Sequence, residues 1–274
     1  MPVVILAGGL GTRLQEETTT RPKPMVEIGG RPILWHIMKH YAHHGQDEFV
    51  VACGYKGDFI KRYFLDEYQQ SGNLKIDFRR GMVQREETEN ETWSVSLVET
   101  GLMTNTGGRV LRLKELLSQG TFLLTYGDGV SNIDVTKLLA FHRSHGRLAT
   151  VTAVRPPARF GGLVINGDQV ERFTEKPVSG EGWINGGFMV LEPGIFDYLK
   201  SDKCSLEINA LEQVAADGQL SAYCHGDFWQ CMDTLRDKEY LQRLWDQHEA
   251  PWRTWETASP AETRLRLLPR EKAA

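Results

Sequence analysis

Four charged residues in this 274-residue chain have the types and spacing that chemistry on a polyanion requires. Arg13 and Lys23 follow a glycine-rich stretch, Gly8, Gly9 and Gly11, which comes directly after the first apolar run, residues 3–7. Glycines at such a place let the backbone approach a ligand and aim its N–H groups at an anion. Arginine offers phosphate a planar fork of donors, and lysine offers a point charge. Pro22 and Pro24 fix φ on either side of Lys23, so the ammonium is presented repeatedly in one place. A glycine-rich turn alone is equally a plain structural turn. The spacing is not G-x-G-x-x-G, since Leu14 stands where the third glycine belongs, and no G-K-[ST] follows. Glycine nest, arginine and stiffened lysine together fall within 16 positions, and a polyphosphate explains that combination best.

Two aspartates supply the complementary charge. Asp128 ends the apolar run "LLTYGDG", and ligands of open α/β sheets bind beyond the carboxyl ends of strands. Asp233, in "WQCMDT", is either a ligand or the cap of a helix starting near Leu235, just as Asp128 is either a ligand or a turn residue. Mg²⁺ takes one or two carboxylates and completes its shell with phosphate oxygens and water, so the pair makes sense as a metal site shared with substrate. Lys176 in "TEKP" precedes a proline as Lys23 does; its alternative is an exposed loop lysine. No Ser-His-Asp or Cys-His arrangement is present in the pattern, and phosphoryl chemistry needs none.

The elements that position these residues alternate. Residues 3–7 read as a buried strand, and Pro32 opens a helix with Ile33, Leu34, Ile37, Met38 and Tyr41 at helical spacing, stopped near Gly45. "FVVACGY" is the next strand, and Asp58 is placed to cap the helix after it. "LKIDF", "WSVSLVE", "TFLLTYGDG" and "LATVTAV" are further strands, with helices near 110–117 and 135–142. This order predicts a mostly parallel sheet covered on both faces. After Pro156 the pattern changes to a hairpin in "LVINGDQVERFTEK", a strand in "WINGGFMVLEP" and helices near 206–216 and 235–247. Trp252 and Trp255 read as packing anchors, "EETENE" as a solvated acidic loop, and 257–274 as a peripheral tail.

The stretch "LAGGLGTRL…T…PKPM…IGGRPIL" resembles the pyrophosphorylase motif of the sugar-1-phosphate nucleotidyltransferases, and most closely their glucose-1-phosphate cytidylyltransferase branch. "TGGRVLR", "TYGDGV", "RFGGLVI", "FTEKP", "INGGFMVLEP", "FWQCMDTLRDK" and "APWRTWE" extend the resemblance over about residues 3–256. It implies an α/β fold with a Rossmann-like, mostly parallel mixed sheet and helices on both faces, plus a small sugar-binding β/α portion. One domain over 1–256 is expected, with 1–156 binding nucleotide and 157–256 binding sugar. The implied reaction joins CTP and a hexose 1-phosphate, glucose 1-phosphate first, to give the CDP-sugar and pyrophosphate with Mg²⁺ as cofactor.

The resemblance also assigns roles. Arg13 holds the β- and γ-phosphates, Lys23 the α-phosphate, Asp128 and Asp233 the metal, and Lys176 the sugar phosphate. Leu6, Ala7, Gly8 and Gly9, with Arg109 of "TGGR", read cytosine; Gly11, Thr12, Tyr126 and Gly127 complete the nucleotide site. Glu175, Asn185, Gly186 and Glu207 face the sugar. Thymidylyl or uridylyl transfer, another sugar phosphate, and a non-catalytic nucleotide-binding regulator are the alternatives. The chain departs from its apparent relatives at three positions. They carry Trp-Glu-x-x-Pro-Leu where this chain has Leu206 and Ala210, and proline where it has Cys231. Those departures are either altered packing or a pocket shifted toward a different sugar.

Composition sets the outer bounds. A net charge of −4 gives no electrostatic case for nucleic acid or an anionic membrane surface, so anions must be captured locally. Four scattered cysteines without C-x-x-C spacing argue for reduced thiols. With no signal-like start and no apolar run of membrane-spanning length, a cytoplasmic protein is expected; as a separate expectation, it forms a homo-oligomer.

Overall fold

Strand β1, Pro2–Leu6, sends alternate side chains into two separate cores. Val3 and Ile5 pack on one face of the sheet, Val4 and Leu6 on the other, and all four are buried. A strand buried on both faces has to be apolar throughout, which is why this run shows no alternation. The computed structural model describes residues 1–86, 91–156, 162–166, 169–174 and 182–256. The 87–90 part of the acidic loop and the 257–274 tail lie outside them.

The remaining strands of the central sheet are β2 (Glu48–Cys53), β3 (Ser94–Glu99), β4 (Phe122–Tyr126), β5 (Ala149–Val154), β6 (Ile184–Leu191) and β7 (Leu220–His225). Their order across the sheet is β7-β5-β6-β4-β1-β2-β3. β6 runs antiparallel to both its neighbours, and the other pairs are parallel. The expected mixed, mostly parallel sheet is therefore present. β6 also enters the middle of it, so residues beyond 156 share one sheet with those before.

Helices α1 (Ile33–His43), α2 (Gly57–Gln70), α4 (Val135–His145) and α6 (Leu235–Asp246) cover one face. The other face carries α3 (Thr106–Leu111), a π-helical turn at Leu206–Leu211 and α5 (Glu212–Ala216). Trp252 is fully buried and stacks on Phe228 at 5.6 Å between centroids, and Trp255 packs edge-on against Trp35, so both anchor the C-terminal segment.

The structure differs from the local signals at Asp58 and at the start of α3, and it decides between the two readings of Asp233. Asp58 lies inside the first turn of α2; the residue before that helix is Lys56, with φ 51°, and no side chain caps it. α3 begins at Thr106, earlier than the apolar pattern from Val110 indicates, because its first turn is glycine-rich and packed rather than apolar. Thr234, not Asp233, caps α6, in a reciprocal capping box with Asp237. The hairpin pairs Gly162–Asn166 with Gln169–Thr174 as expected, whereas the strand at "LKIDF", observed over Asn73–Asp77, pairs with Met82–Glu86 outside the central sheet.

Candidate active site

The chain steps outward from β1 to β2 and β3, then returns to place β4 on the other side of β1. Such a reversal opens a crevice at the carboxyl ends of the two strands. Leu6 pairs with Tyr126 at that edge, and the Gly127 amide donates to the Leu6 carbonyl at 3.0 Å. The glycine loop and Asp128 therefore emerge side by side, above a cleft of about 400 Å³. Leu6, Ala7, Gly8, Gly9, Gly11 and Thr12 form one wall. Arg13, Lys23, Tyr126, Gly127, Asp128 and Arg109 also line it, and so does Asp233. Pro24 and Thr106, from the lysine loop and the "TGGR" motif, complete the lining with Thr104 and Asn105, which did not stand out in the sequence because they have no distinctive local pattern.

Asp128 and Asp233 are brought together by an element no local signal reveals. Residues Gly129–Ser131 and Trp229–Cys231 form a small antiparallel pair with Gly129 opposite Cys231, and the Met232 amide donates to the Asp128 carbonyl at 2.8 Å. The two carboxylates meet at one ammonium. Lys23 Nζ lies 2.7 Å from Asp128 Oδ2 and 2.5 Å from Asp233 Oδ1, and Arg13 donates to Asp233 Oδ2 at 2.8 Å. Burial by itself lowers the Lys23 pKa, but the two carboxylates outweigh it and hold the ammonium above its ordinary value. Burial likewise raises Asp233, and the hydrogen bonds and charges of Lys23 and Arg13 outweigh that to hold it low. Arg13 keeps 77% of its side-chain area exposed, so it can follow a ligand at little cost.

This donor set suits a hard dication. Two carboxylate oxygens converge from separate loops, with open cleft beside them for phosphate oxygens and water. Among the described residues no group of three or more His, Cys, Asp or Glu side chains is placed to hold a metal ion unaided. The arrangement fits an ion shared with substrate.

Arg109 is buried, and its guanidinium is engaged within the protein. Its terminal nitrogens donate to the carbonyls of Cys53, Gly101, Leu102 and Gly8 and to Thr100 Oγ1, at 2.7–3.4 Å. A Cβ on Gly8 would stand 2.1 Å from Arg109 Nη1, so only glycine lets the loop lie against this group. Arg109 thereby fixes the wall of the cleft as well as lining it. The glycines of "TGGR" answer to packing: a Cβ on Gly108 would meet the Asp202 carbonyl oxygen at 2.4 Å, so α3 sits directly on the segment before Leu206. The far end of the glycine loop is pinned too, with Lys56 and Tyr55 donating to carbonyls at Thr18 and Thr19 and Lys238 paired with Glu17.

Asn185 and Gly186 lie at the start of β6, where its register with β5 shifts between Val151 and Ala153. Trp229 Nε1 donates to the Gly186 carbonyl at 2.7 Å, joining this strand to the aspartate-bearing pair. Glu207 is the second residue of the π-helical turn beside α3. Glu175 and Lys176 fall outside the described residues.

The three departures from the family pattern separate here. Leu206 and Ala210 are fully buried in the second core, and only Cys231 stands near the cluster, its Sγ 3.9 Å from Asp233 Oδ2. An indole in place of Leu206 would enlarge that core and not the cleft. Leu206→Trp is expected to cost about 1–3 kcal/mol by overpacking and to leave the ratio of rates across hexose 1-phosphates unchanged. A thermal melt and a substrate panel on the same variant check both halves, and a changed sugar ratio would contradict the packing assignment.

Residues 2–247 match the nucleotidyl transferase family. The chain belongs to that family. It is 49% identical over 257 residues, 93% of this chain and 100% of the relative, to the glucose-1-phosphate cytidylyltransferases of Salmonella typhimurium and Salmonella typhi. Its fold matches the crystal structure of HddC from Yersinia pseudotuberculosis with a TM-score of 0.66 at 24% identity, covering 89% of this chain and 99% of that one. The chain is a nucleotidyltransferase with an α/β fold, and nucleotidyltransferases of this family generally use a divalent metal. Among the described residues, no helix is long and apolar enough to cross a membrane.

Proposed function

We propose that this protein is a glucose-1-phosphate cytidylyltransferase, joining CTP and α-D-glucose 1-phosphate to give CDP-glucose and pyrophosphate. The observation that carries this reading is the cluster of Lys23, Arg13, Asp128 and Asp233 at the mouth of a glycine-walled cleft, in a chain 49% identical over 93% of its length to enzymes of that name. The residues 1–156 portion would take the nucleotide and 157–256 the sugar.

A phosphate oxygen of glucose 1-phosphate is the nucleophile. It bonds to the α-phosphorus of CTP, the α–β bridging bond breaks, and the electron pair leaves on pyrophosphate. The nucleophile is already an anion, so no general base is needed and the protein's task is to hold two polyanions in line. Lys23 would turn from the carboxylates to the α-phosphate, and Arg13 to the β- and γ-phosphates. Lys176 would orient the sugar phosphate, with Glu175 and Asn185 on sugar hydroxyls. The Gly8 wall, set by Arg109, would face the base. Mg²⁺ held by Asp128 and Asp233 would neutralise phosphate charge as it develops.

Pyrophosphate release measured with each of CTP, UTP, dTTP and GTP against a panel of sugar 1-phosphates tests this directly. CTP is expected to be favoured by at least about tenfold in kcat/KM, because each buried polar group left unpaired by another base costs roughly 1–3 kcal/mol. Equal kcat/KM for CTP and dTTP would sink the cytidylyl assignment and leave the family intact.

A further inference from the structure

Glu207 is expected from the resemblance to face the sugar, yet its carboxylate is already engaged. Oε1 accepts from the Tyr126 hydroxyl at 2.6 Å, and Oε2 accepts from Thr106 Oγ1 and Ser205 Oγ, each at 2.7 Å. Thr106 and Tyr126 line the cleft and Glu207 does not, so the carboxylate lies behind the wall and grips it at two points. Burial favours the neutral acid here, but the hydroxyl donors outweigh it and keep Glu207 ionised. An ionised carboxylate only accepts hydrogen bonds, which settles the direction of every neighbour.

Thr106 must spend its proton on Glu207, and its oxygen accepts from the Leu206 amide at 2.9 Å. Tyr126 likewise spends its proton, and its ring lies against the start of β6, where a Cβ on Gly187 would stand 2.5 Å from Tyr126 Cδ2. Asn185 Oδ1 in turn accepts from the Gly187 amide at 2.9 Å, so the orientation of that carboxamide is fixed. The chain of contacts therefore runs from the start of β6, where Asn185 lies, through Tyr126 and Glu207 to Thr106, at the start of the "TGGR" helix. Neither wall hydroxyl has a proton left to give a ligand.

We propose that Glu207 is a positioning residue serving both halves of the cleft, the common acceptor that orients Thr106 on the nucleotide side and Tyr126, expected in the nucleotide site but packed against the start of β6 beside Asn185, on the sugar side. The proposal rests on the transferase reading of the cleft. Its consequence is that one carboxylate, in contact with neither substrate, sets the affinity for both.

Glu207→Gln keeps the shape and replaces one accepting oxygen by a donor, so one wall hydroxyl must turn its proton into the cleft. The variant is expected to fold, by circular dichroism, and to raise KM for CTP and for glucose 1-phosphate, each by about tenfold, with a smaller change in kcat. In double-mutant cycles, Tyr126→Phe should add little to the glucose 1-phosphate KM of Glu207→Gln, and Thr106→Val little to its CTP KM, because each pair shares one bond. A rise in the glucose 1-phosphate KM alone would make Glu207 a plain sugar ligand and overturn the proposal. Strict additivity in both cycles, or a lower melting temperature with unchanged KM values, would overturn it as well. If the unmodified protein releases no pyrophosphate, the transferase reading is what fails. Calorimetric titration with CTP and with glucose 1-phosphate then reads the same coupling as paired losses of affinity in Glu207→Gln, and unchanged affinities overturn it.

Discussion

Replacing Asp128 or Asp233 by asparagine is expected to lower kcat by at least about a hundredfold, the scale seen when one strong charge-stabilising group is removed. Asparagine keeps the volume and one accepting oxygen, so the small pair formed by Gly129–Ser131 and Trp229–Cys231 should survive, and with it the fold. The loss should fall on kcat more than on KM for glucose 1-phosphate, since charge develops on the phosphates only in the transition state. EDTA should abolish turnover of the unmodified protein and restored Mg²⁺ should return it. Near-normal turnover in either variant, together with indifference to EDTA, removes the metal role from this pair.

Lys23→Ala has the second large expected effect, and it acts on activity and stability together. Loss of the phosphate contact should cost a few kcal/mol in kcat/KM. The unliganded protein should also weaken, because Asp128 and Asp233 would face each other without their shared cation. Their side chains are 29% and 19% exposed, and Lys23 only 12%. The cost should therefore fall between the ~0–1 kcal/mol of an exposed pair and the ~3–5 kcal/mol of breaking a buried one.

The pH dependence follows from the same contacts. Asp233 is held below its ordinary 3.8, so its contribution is present above that value and is lost as pH falls through the lowered one. Lys23 is held above 10.5, so its contribution is present below 10.5 and is lost as pH rises through the raised value. Lys23→Ala should flatten both limbs of a plot of Tm against pH. An unchanged plot with lost activity would mean that Lys23 acts on substrate alone. Unfolding with normal activity per folded molecule would make the loop structural.

Much of this was legible in the sequence because local patterns carry it. Strands buried on both faces must be continuous apolar runs, and helices show a repeat near four, so the order of elements and the α/β class follow from periodicity alone. Gly8, Arg13 and Lys23 stand out as a candidate phosphate loop because few other demands put those residue types so close together. Asp233 was ambiguous because an aspartate before a helix satisfies a cap as well as a ligand. The capping box of Thr234 and Asp237 removes the need for a further cap and leaves Asp233 to Lys23 and Arg13.

Other features belong to tertiary structure alone. The pairing of Gly129–Ser131 with Trp229–Cys231 joins residues about a hundred positions apart through three-residue strands, too short to show any period. The engagement of Arg109 with carbonyls from three separate segments, and of Glu207 with three hydroxyls, depends on which groups a folded chain leaves in need of partners. Leu206 makes the same point from the packing side: as a residue type beside Glu207 it read as a possible sugar contact, and the fold turned it into the core. By itself the sequence determined the chemistry at hand, two cations and two carboxylates on a glycine loop and strand ends. Only the tertiary structure decided which of those charges meet, because long-range hydrogen bonds and burial are properties of the packed chain and leave no periodic trace in the order of residues.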